Sequence, residues 1–309
     1  MHRMRVLLVH NPGAGDGVHS RDDLVRLIRD AGHTVEAFSS KDDAWHAALG
    51  PAVELVVAAG GDGTVAEVAR IVAGTGTPLA VLPFGTANNI ACALRQEDAA
   101  VEALVTAWSH GERRPFDIGV ANGAWGSFAF LESVGAGLLA KTIAEIDYGS
   151  AGHVNDMDEP ERRMAAAMEV FERMLGRVEP CHYGITVDGR DFSGHYVLVE
   201  ALNFGAAGPN LRLAPLAEPG DGLLDVVLVD EALRQDLVQH FRLYREQPAR
   251  APRLPAVRGR DIRIRCERTT IHLDDDIREH DPAHGDIELS LVPGALTFLV
   301  PARQEARAC

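Results

Sequence analysis

The pentapeptide Gly60-Gly61-Asp62-Gly63-Thr64 constrains this chain more than any other stretch. Before it, Glu54-Leu-Val-Val-Ala-Ala59 reads as a buried strand. After it, Val65, Val68, Ala69 and Val72 recur at helical spacing. Strand, glycine loop, helix is the arrangement that turns free backbone N–H groups and a helix dipole toward an anion. Asp62 is out of place beside a phosphate, because two negative charges repel. It points to an intervening metal ion or to proton handling. A tight turn in an α/β domain needs the same glycines, so this loop alone does not decide function.

Two further loops repeat the pattern. Pro78-Leu-Ala-Val-Leu-Pro83 reads as a strand, followed by Phe84-Gly85-Thr86-Ala87-Asn88-Asn89 and an apolar helical stretch. Gly85 allows a sharp turn, and Thr86 and the two Asn residues offer hydroxyl and amide groups. Near the start, Arg5-Val-Leu-Leu-Val-His10 leads into Asn11-Pro-Gly-Ala-Gly-Asp-Gly17 and then a helix capped by Ser20. In a parallel sheet the loops after the strands gather on one edge, where ligands bind. These three loops are therefore expected to converge.

With these motifs in view, the chain resembles the diacylglycerol kinase catalytic domain, and within that superfamily the soluble bacterial lipid kinases related to sphingosine kinases. Asn11-Pro-x-x-Gly15, Gly60-Gly-Asp-Gly-Thr64 with Glu67 following, and Leu82-Pro-Phe-Gly-Thr-Ala-Asn88 carry the resemblance. It continues in Leu213-Ala-Pro215, Asp221-Gly-Leu-Leu-Asp225, Leu273-Asp-Asp-Asp276 and Val292-Pro-Gly-Ala-Leu296.

Up to about residue 120, strands alternate with helices, which is a parallel α/β pattern. Beyond it short strands dominate, with helices expected over 159–175 and 233–245, so the second region reads as an antiparallel β-rich domain. The resemblance implies the same division. A nucleotide-binding α/β domain spans 1–120, a β-sandwich substrate domain spans 121–300, the active site lies in the cleft between them, and residues 301–309 return to the first domain.

A length of 309 residues with 46% hydrophobic content suits two packed cores. No apolar run approaches the roughly 18 residues of a membrane span. The first residues lead straight into a strand, so no signal peptide is expected. Four scattered Cys, at 92, 181, 266 and 309, fit reduced thiols in a cytoplasmic protein. A net charge of −15 excludes non-specific nucleic-acid binding as a role.

The resemblance implies an ATP-dependent lipid kinase acting on diacylglycerol or a related lipid, with ATP and Mg²⁺ as cofactors. Asn11 and the amides of Gly60, Gly61, Asp62, Gly63 and Thr64 then hold the ATP phosphates. Gly85 and Thr86 add the second loop, Ser39 lies near the nucleotide, and Asp62 acts through the Mg²⁺ of MgATP or ordered water. A structural Mg²⁺ is implied at Asp221, with backbone carbonyls near Glu218 and Leu223. An Asp-Gly turn explains Asp221-Gly222 equally well. The family's general base is the Glu of Asp-Gly-Glu, and here that position is Asp276, with Asp275 in place of Gly. Asp is a methylene shorter, which leaves the backbone to compensate or Glu279 to take over. Three adjacent carboxylates otherwise call for a cation or a solvated edge.

Two more departures bear on the acceptor: Asn89 stands where the family usually has Asp, and Gly208-Pro209-Asn210 replaces a glycine triplet. An NAD kinase-like enzyme, which shares Gly-Gly-Asp-Gly-Thr, and a non-catalytic nucleotide or lipid sensor are the alternatives. Between Arg242 and Arg268 nine Arg face only Glu246, Asp261 and Glu267, a local +6. Arg263 and Arg265 are expected on the outer face of a strand. That stretch is either a solvated strand face or a patch for transient peripheral contact with anionic lipid at the inner membrane face.

Overall fold

The computed structural model describes residues 2–15, 19–97, 99–154, 157, 159–247 and 250–302. They divide into two compact units. The first runs to Phe116 and resumes at Gly294; the second is Asp117–Pro293. Of the segment expected to return to the first domain, residues 303–309 lie outside the described residues.

The first unit alternates β1 (Arg5–His10), α1 (Arg21–Asp30), β2 (Thr34–Ser39), α2 (Ala44–Ala48), β3 (Leu55–Gly60), α3 (Asp62–Val72), β4 (Leu79–Pro83), α4 (Asn89–Ala93) and α5 (Val101–Ala107). The strands pair in parallel in the order β2-β1-β3-β4. β3 is buried at every position, as its unbroken apolar run requires. Ser20 caps α1 through a reciprocal capping box with Asp23. The order 2-1-3-4 sends the chain outward from β1 and then back past it to β3. The loops after β1 and β3 therefore depart in opposite directions, which opens a crevice at the carboxyl ends of those strands.

β5 (Glu112–Gly123) leads into the second unit. There follow β6 (Gly126–Phe130), β7 (Ser133–Gly137), α6 (Leu138–Asp147), α7 (Pro160–Leu175), β8 (Cys181–Val187), β9 (Arg190–Asp191), β10 (Gly194–Tyr196), β11 (Leu198–Leu202), β12 (Leu224–Val229), α8 (Arg234–Glu246), β13 (Ala256–Gly259), β14 (Ile262–Cys266), β15 (Thr269–Leu273), β16 (Asp276–His280) and β17 (Ile287–Val300). One antiparallel sheet contains β10-β8-β14-β17, and a six-stranded antiparallel sheet runs β13-β12-β11-β7-β15-β16. Their facing residues alternate strictly. Ile185, Ile262, Ile264 and Leu289 from one sheet share a core with Val134, Val199, Val226 and Ile271 from the other. The opposite face of the six-stranded sheet is also buried. Leu198, Leu202 and Val229 pack there with Leu138 of α6, Phe171 of α7 and Leu237 of α8.

Three features of the second unit are not marked by local sequence pattern. The largely apolar stretch 125–134 holds parts of two strands, β6 and β7. α6 follows β7 through Gly137 at φ 83 with no side-chain cap, so no start signal announces it. Residues 287–300 form one strand, β17, through Pro293-Gly294, where the chain passes from the second unit to the first.

Candidate active site

All three glycine loops meet at the crevice of the first unit. The Asn11 amide donates from Nδ2 to Thr64 Oγ1 at 3.0 Å, and its Oδ1 accepts the Gly13 N–H at 2.9 Å. One side chain thus shapes the loop after β1 and ties it to the first turn of α3. Thr64 is buried, and a Cβ on Gly60 would lie 2.7 Å from its Cβ and Oγ1. The second and third loops touch backbone to backbone. A Cβ on Gly61 would fall 2.9 Å from Gly85 Cα, and one on Gly85 would fall 2.4 Å from Gly61 Cα. The Phe84 N–H donates to Gly60 O at 3.0 Å. Asn88, at φ 51, closes its own loop by accepting the Gly85 N–H at 2.8 Å and donating to Gly85 O at 2.9 Å. Gly15, at φ 81, packs on Phe84.

Glycines therefore leave the backbone bare where the loops converge. α3 begins at Asp62 with Gly61 as a cap that offers no side chain. Its first-turn amides are among those no intrahelical carbonyl can satisfy. Ser39 ends β2 beside His10, in register with it; Ser39 Oγ accepts the Lys41 N–H at 3.2 Å, and the following Ser40 N–H donates to His10 O at 2.9 Å. Burial, with the Arg21 charge, lowers the pKa of His10, so its ring adds no charge to the crevice at neutral pH. Thr86 is half-buried in the second loop, and Glu67 is exposed on α3, one turn beyond Gly63.

Asp62 has a partner that sequence reasoning missed. Its Oδ2 accepts the Asn89 N–H at 3.0 Å and its Oδ1 accepts the Ile90 N–H at 2.9 Å, both at the start of α4. The carboxylate sits at two helix N-termini, where negative charge is favoured. That resolves how an acid is tolerated inside a phosphate-type loop. Asp62→Ala is expected to cost about 2 kcal/mol through two lost charge-assisted bonds, whereas Asp62→Asn keeps one acceptor and loses less; thermal melts of both check this.

In the second unit, the three aspartates at 274–276 have three fates. Asp274 and Asp275 form the two-residue turn between β15 and β16. Asp274 is buried, and its carboxylate accepts the N–H groups of Leu131, Glu132 and Ser133 at 2.8–3.3 Å. It also carries the turn's positive φ, 50°, so Asp275 in the family's glycine position bears no left-handed strain. Asp275 and Asp276 are exposed, and Asp276 lies 3.7 Å from Arg278 Nη2. Glu279 accepts a hydrogen bond from Thr270 Oγ1 on the neighbouring strand. Residues three apart on a strand point to opposite faces, so Glu279 is not a substitute for Asp276.

Beneath this turn lies a buried charge pair that the sequence motifs did not show. Glu200 and His272 are 0% and 1% exposed, with His272 Nε2 2.8 Å from Glu200 Oε1. Gly135 of β7 lies in register between them. A Cβ there would fall 2.1 Å from Glu200 Oε2, so the glycine is what lets the two side chains meet across the strand. The other ring nitrogen, Nδ1, bonds Asp274 O at 2.9 Å. Burial works to lower the His272 pKa, but Glu200 and the Asp274 carbonyl outweigh it and hold it above the ordinary value.

The implied metal turn differs from expectation. Asp221 Oδ1 accepts the Leu223 N–H at 3.0 Å, and Oδ2 contacts the Arg258 guanidinium. The Asp221 N–H reaches Glu218 O at 3.4 Å. The Gly222 N–H donates to the buried Asp117 at 2.7 Å. Among the described residues no group of three or more His, Cys, Asp or Glu is placed to hold a metal ion. Both Asp221 oxygens are thus engaged by donors, one of them a cation, and the side chain so placed does not fit a Mg²⁺ ligand.

The Arg-rich stretch is also less bare than its composition suggests. Arg263 and Arg265 do face outward, with Ile262 and Ile264 buried between them. Arg263 meets Glu288 at 2.9 Å, Arg265 meets Asp286 at 2.8 Å, and Arg268 pairs with Asp281. Those acids come from outside residues 242–268, so counting charge along the chain overstates the local excess.

The first unit is a parallel sheet with glycine loops at its β1/β3 crevice, and the second is an antiparallel sandwich. Residues 5–121 match the diacylglycerol kinase catalytic domain, and residues 142–300 match the YegS C-terminal NAD kinase beta sandwich-like domain. The chain belongs to this family of lipid kinases. It is 26% identical to a diacylglycerol kinase of Mycobacterium tuberculosis, over 96% of this chain and 95% of that one. It is 28% identical to a diacylglycerol kinase of Bacillus subtilis, over 74% of each. A solved diacylglycerol kinase structure from Bacillus anthracis str. Sterne has the same fold, with 20% identity, a TM-score of 0.68 and coverage of 97% of this chain and 98% of that one. No helix among the described residues is long and apolar enough to cross a membrane.

Proposed function

We propose that this lipid kinase takes MgATP as donor and a diacylglycerol or related lipid alcohol as acceptor. The convergence of Asn11, Gly60–Thr64 and Gly85 at one crevice, at the N-terminus of α3, carries the assignment. Phosphoryl transfer is mainly positioning and charge stabilisation, and backbone amides at a helix N-terminus supply both. Asn11 and the amides of residues 60–64 hold the phosphates, with Gly85, Thr86 and Ser39 around the nucleotide. Asp62 acts as a positioning residue, fixing the second loop against the first turn of α3. Mg²⁺ bound to ATP would supply charge neutralisation at the phosphates.

On the acceptor side, Asp276 is the assigned general base. A bond forms between the acceptor oxygen and Pγ while the bridging bond to the β-phosphate breaks. ADP leaves with that electron pair, and the hydroxyl proton passes to the Asp276 carboxylate.

The test is phosphate transfer from ATP to diacylglycerol, a sphingoid base, ceramide, phosphatidylglycerol and NAD⁺ in mixed micelles. Transfer to one lipid is expected, with Asp276→Asn lowering kcat about 100-fold or more at unchanged KM for ATP. Asp276→Glu should change kcat, because it moves the carboxylate by about a methylene. Transfer to NAD⁺ alone selects the NAD kinase-like reading. MgATP binding without transfer to any acceptor selects the sensor.

A further inference from the structure

The turn at Asp221 carries a cation of its own. Arg258 lies opposite Asp225 in the β12–β13 register. Its Nε is 3.4 Å from Asp225 Oδ2 while its Nη2 contacts Asp221 Oδ2. Asp225 is 6% exposed, and a carboxylate that buried requires a counter-charge. The planar guanidinium can meet two carboxylates at once, which a lysine ammonium does less well. Asp221 Oδ1 is already engaged by the Leu223 N–H, so both oxygens have donors.

We infer that Arg258 takes the place of the structural Mg²⁺ implied for this turn, so that the second domain folds without a bound divalent cation. Its side chain bridges Asp221 to Asp225 and so anchors the turn to β12 and β13. Arg258 and Asp225 also line a cavity of about 500 Å³. Truncating the arginine would leave Asp221 and Asp225 without their shared cation, with Asp225 facing room for a hydrated ion.

The test uses the full-length protein, stripped with EDTA and melted with and without millimolar Mg²⁺, ATP absent. The wild-type melting temperature should not respond to Mg²⁺, and elemental analysis after desalting should find well under one equivalent. Arg258→Gln should melt lower, and Mg²⁺ should raise it by roughly 5–10 °C if the new site is saturated a hundredfold. Arg258→Lys keeps the charge and should stay unresponsive. A wild-type protein that retains one Mg²⁺, or loses stability to EDTA and regains it with Mg²⁺, overturns the inference. So does an Arg258→Gln variant that responds no more than wild type. If that variant does not fold, the wild-type metal content and the Arg258→Lys melts still decide. Stability is the readout, so failure here is separate from failure of the assigned lipid or donor.

Discussion

Gly85→Ala is expected to reduce phosphoryl transfer by about 100-fold or more and to lower stability by about 1–3 kcal/mol. The new methyl would lie 2.4 Å from Gly61 Cα and 2.8 Å from Asn88 Oδ1. Carbon atoms in contact sit about 3.5–4.0 Å apart, so the loops must separate by roughly an ångström. Gly61 is backbone and cannot rotate away. It is also the cap of α3, so moving it moves the amides assigned to the phosphates. The Asn88 clasp that closes the second loop is disturbed by the same methyl. Gly61→Ala meets Gly85 Cα at 2.9 Å and should be milder. Gly50→Ala, with nothing within 4 Å of its Cβ, is the control and should be neutral. Calorimetric MgATP binding, kcat and a thermal melt measure the three. A Gly85→Ala enzyme with near wild-type kcat and nucleotide affinity would show that the contact between the loops is not what shapes the site.

That close approach was legible in outline. Strand, glycine loop, helix repeats three times in the sequence, and a parallel sheet brings such loops to one edge. What the motifs could not supply was the partner of each polar group. Asp62 looks like a metal or proton group when only its own loop is considered; Asn89 and Ile90, from the next loop, supply the donors that satisfy it. Arg263 and Arg265 look like an uncompensated patch because Glu288 and Asp286 lie on a later segment of chain. The Asp274–Asp276 run reads as one acidic focus, yet the two-residue turn buries the first side chain and exposes the other two. A signal did exist for the Glu200–His272 pair. Glu200 interrupts the apolar run Val197–Leu202, and His272 sits between Ile271 and Leu273. A charge inside a fully buried strand demands a partner, but its identity depends on β7 lying between β11 and β15, a pairing no local pattern encodes.

The largest stability loss is expected from breaking that pair. Glu200→Gln removes the carboxylate that holds the His272 pKa up, so the buried ring must either give up its proton or lose its counter-charge, at a cost of about 3–5 kcal/mol. Gly135→Ala should be similarly damaging, since its methyl collides with Glu200 Oε2. The pH dependence separates a charged pair from a neutral hydrogen bond. Because the folded pKa of His272 is raised, its contribution is full below the unfolded value of about 6.5 and is lost as pH rises through the folded value. Wild-type stability should therefore include a component that declines with rising pH over that window, and His272→Gln should lack it. The groups that set the sign are Glu200, directly on Nε2, and the carbonyl and carboxylate of Asp274. Because Nδ1 holds the Asp274 carbonyl, both variants should also loosen the turn that presents Asp276 and lower kcat more than they change KM for ATP. Urea melts of wild type, Glu200→Gln and His272→Gln between pH 5.5 and 9 measure the stability part, on a scale set by the reference pKa values. If Glu200→Gln lies within about 1 kcal/mol of wild type and all three share one pH slope, the ring is neutral and the pair is an ordinary hydrogen bond. If the slope disappears in both variants together, the six-stranded sheet holds a true ion pair across Gly135, and the turn bearing the assigned base is anchored by it.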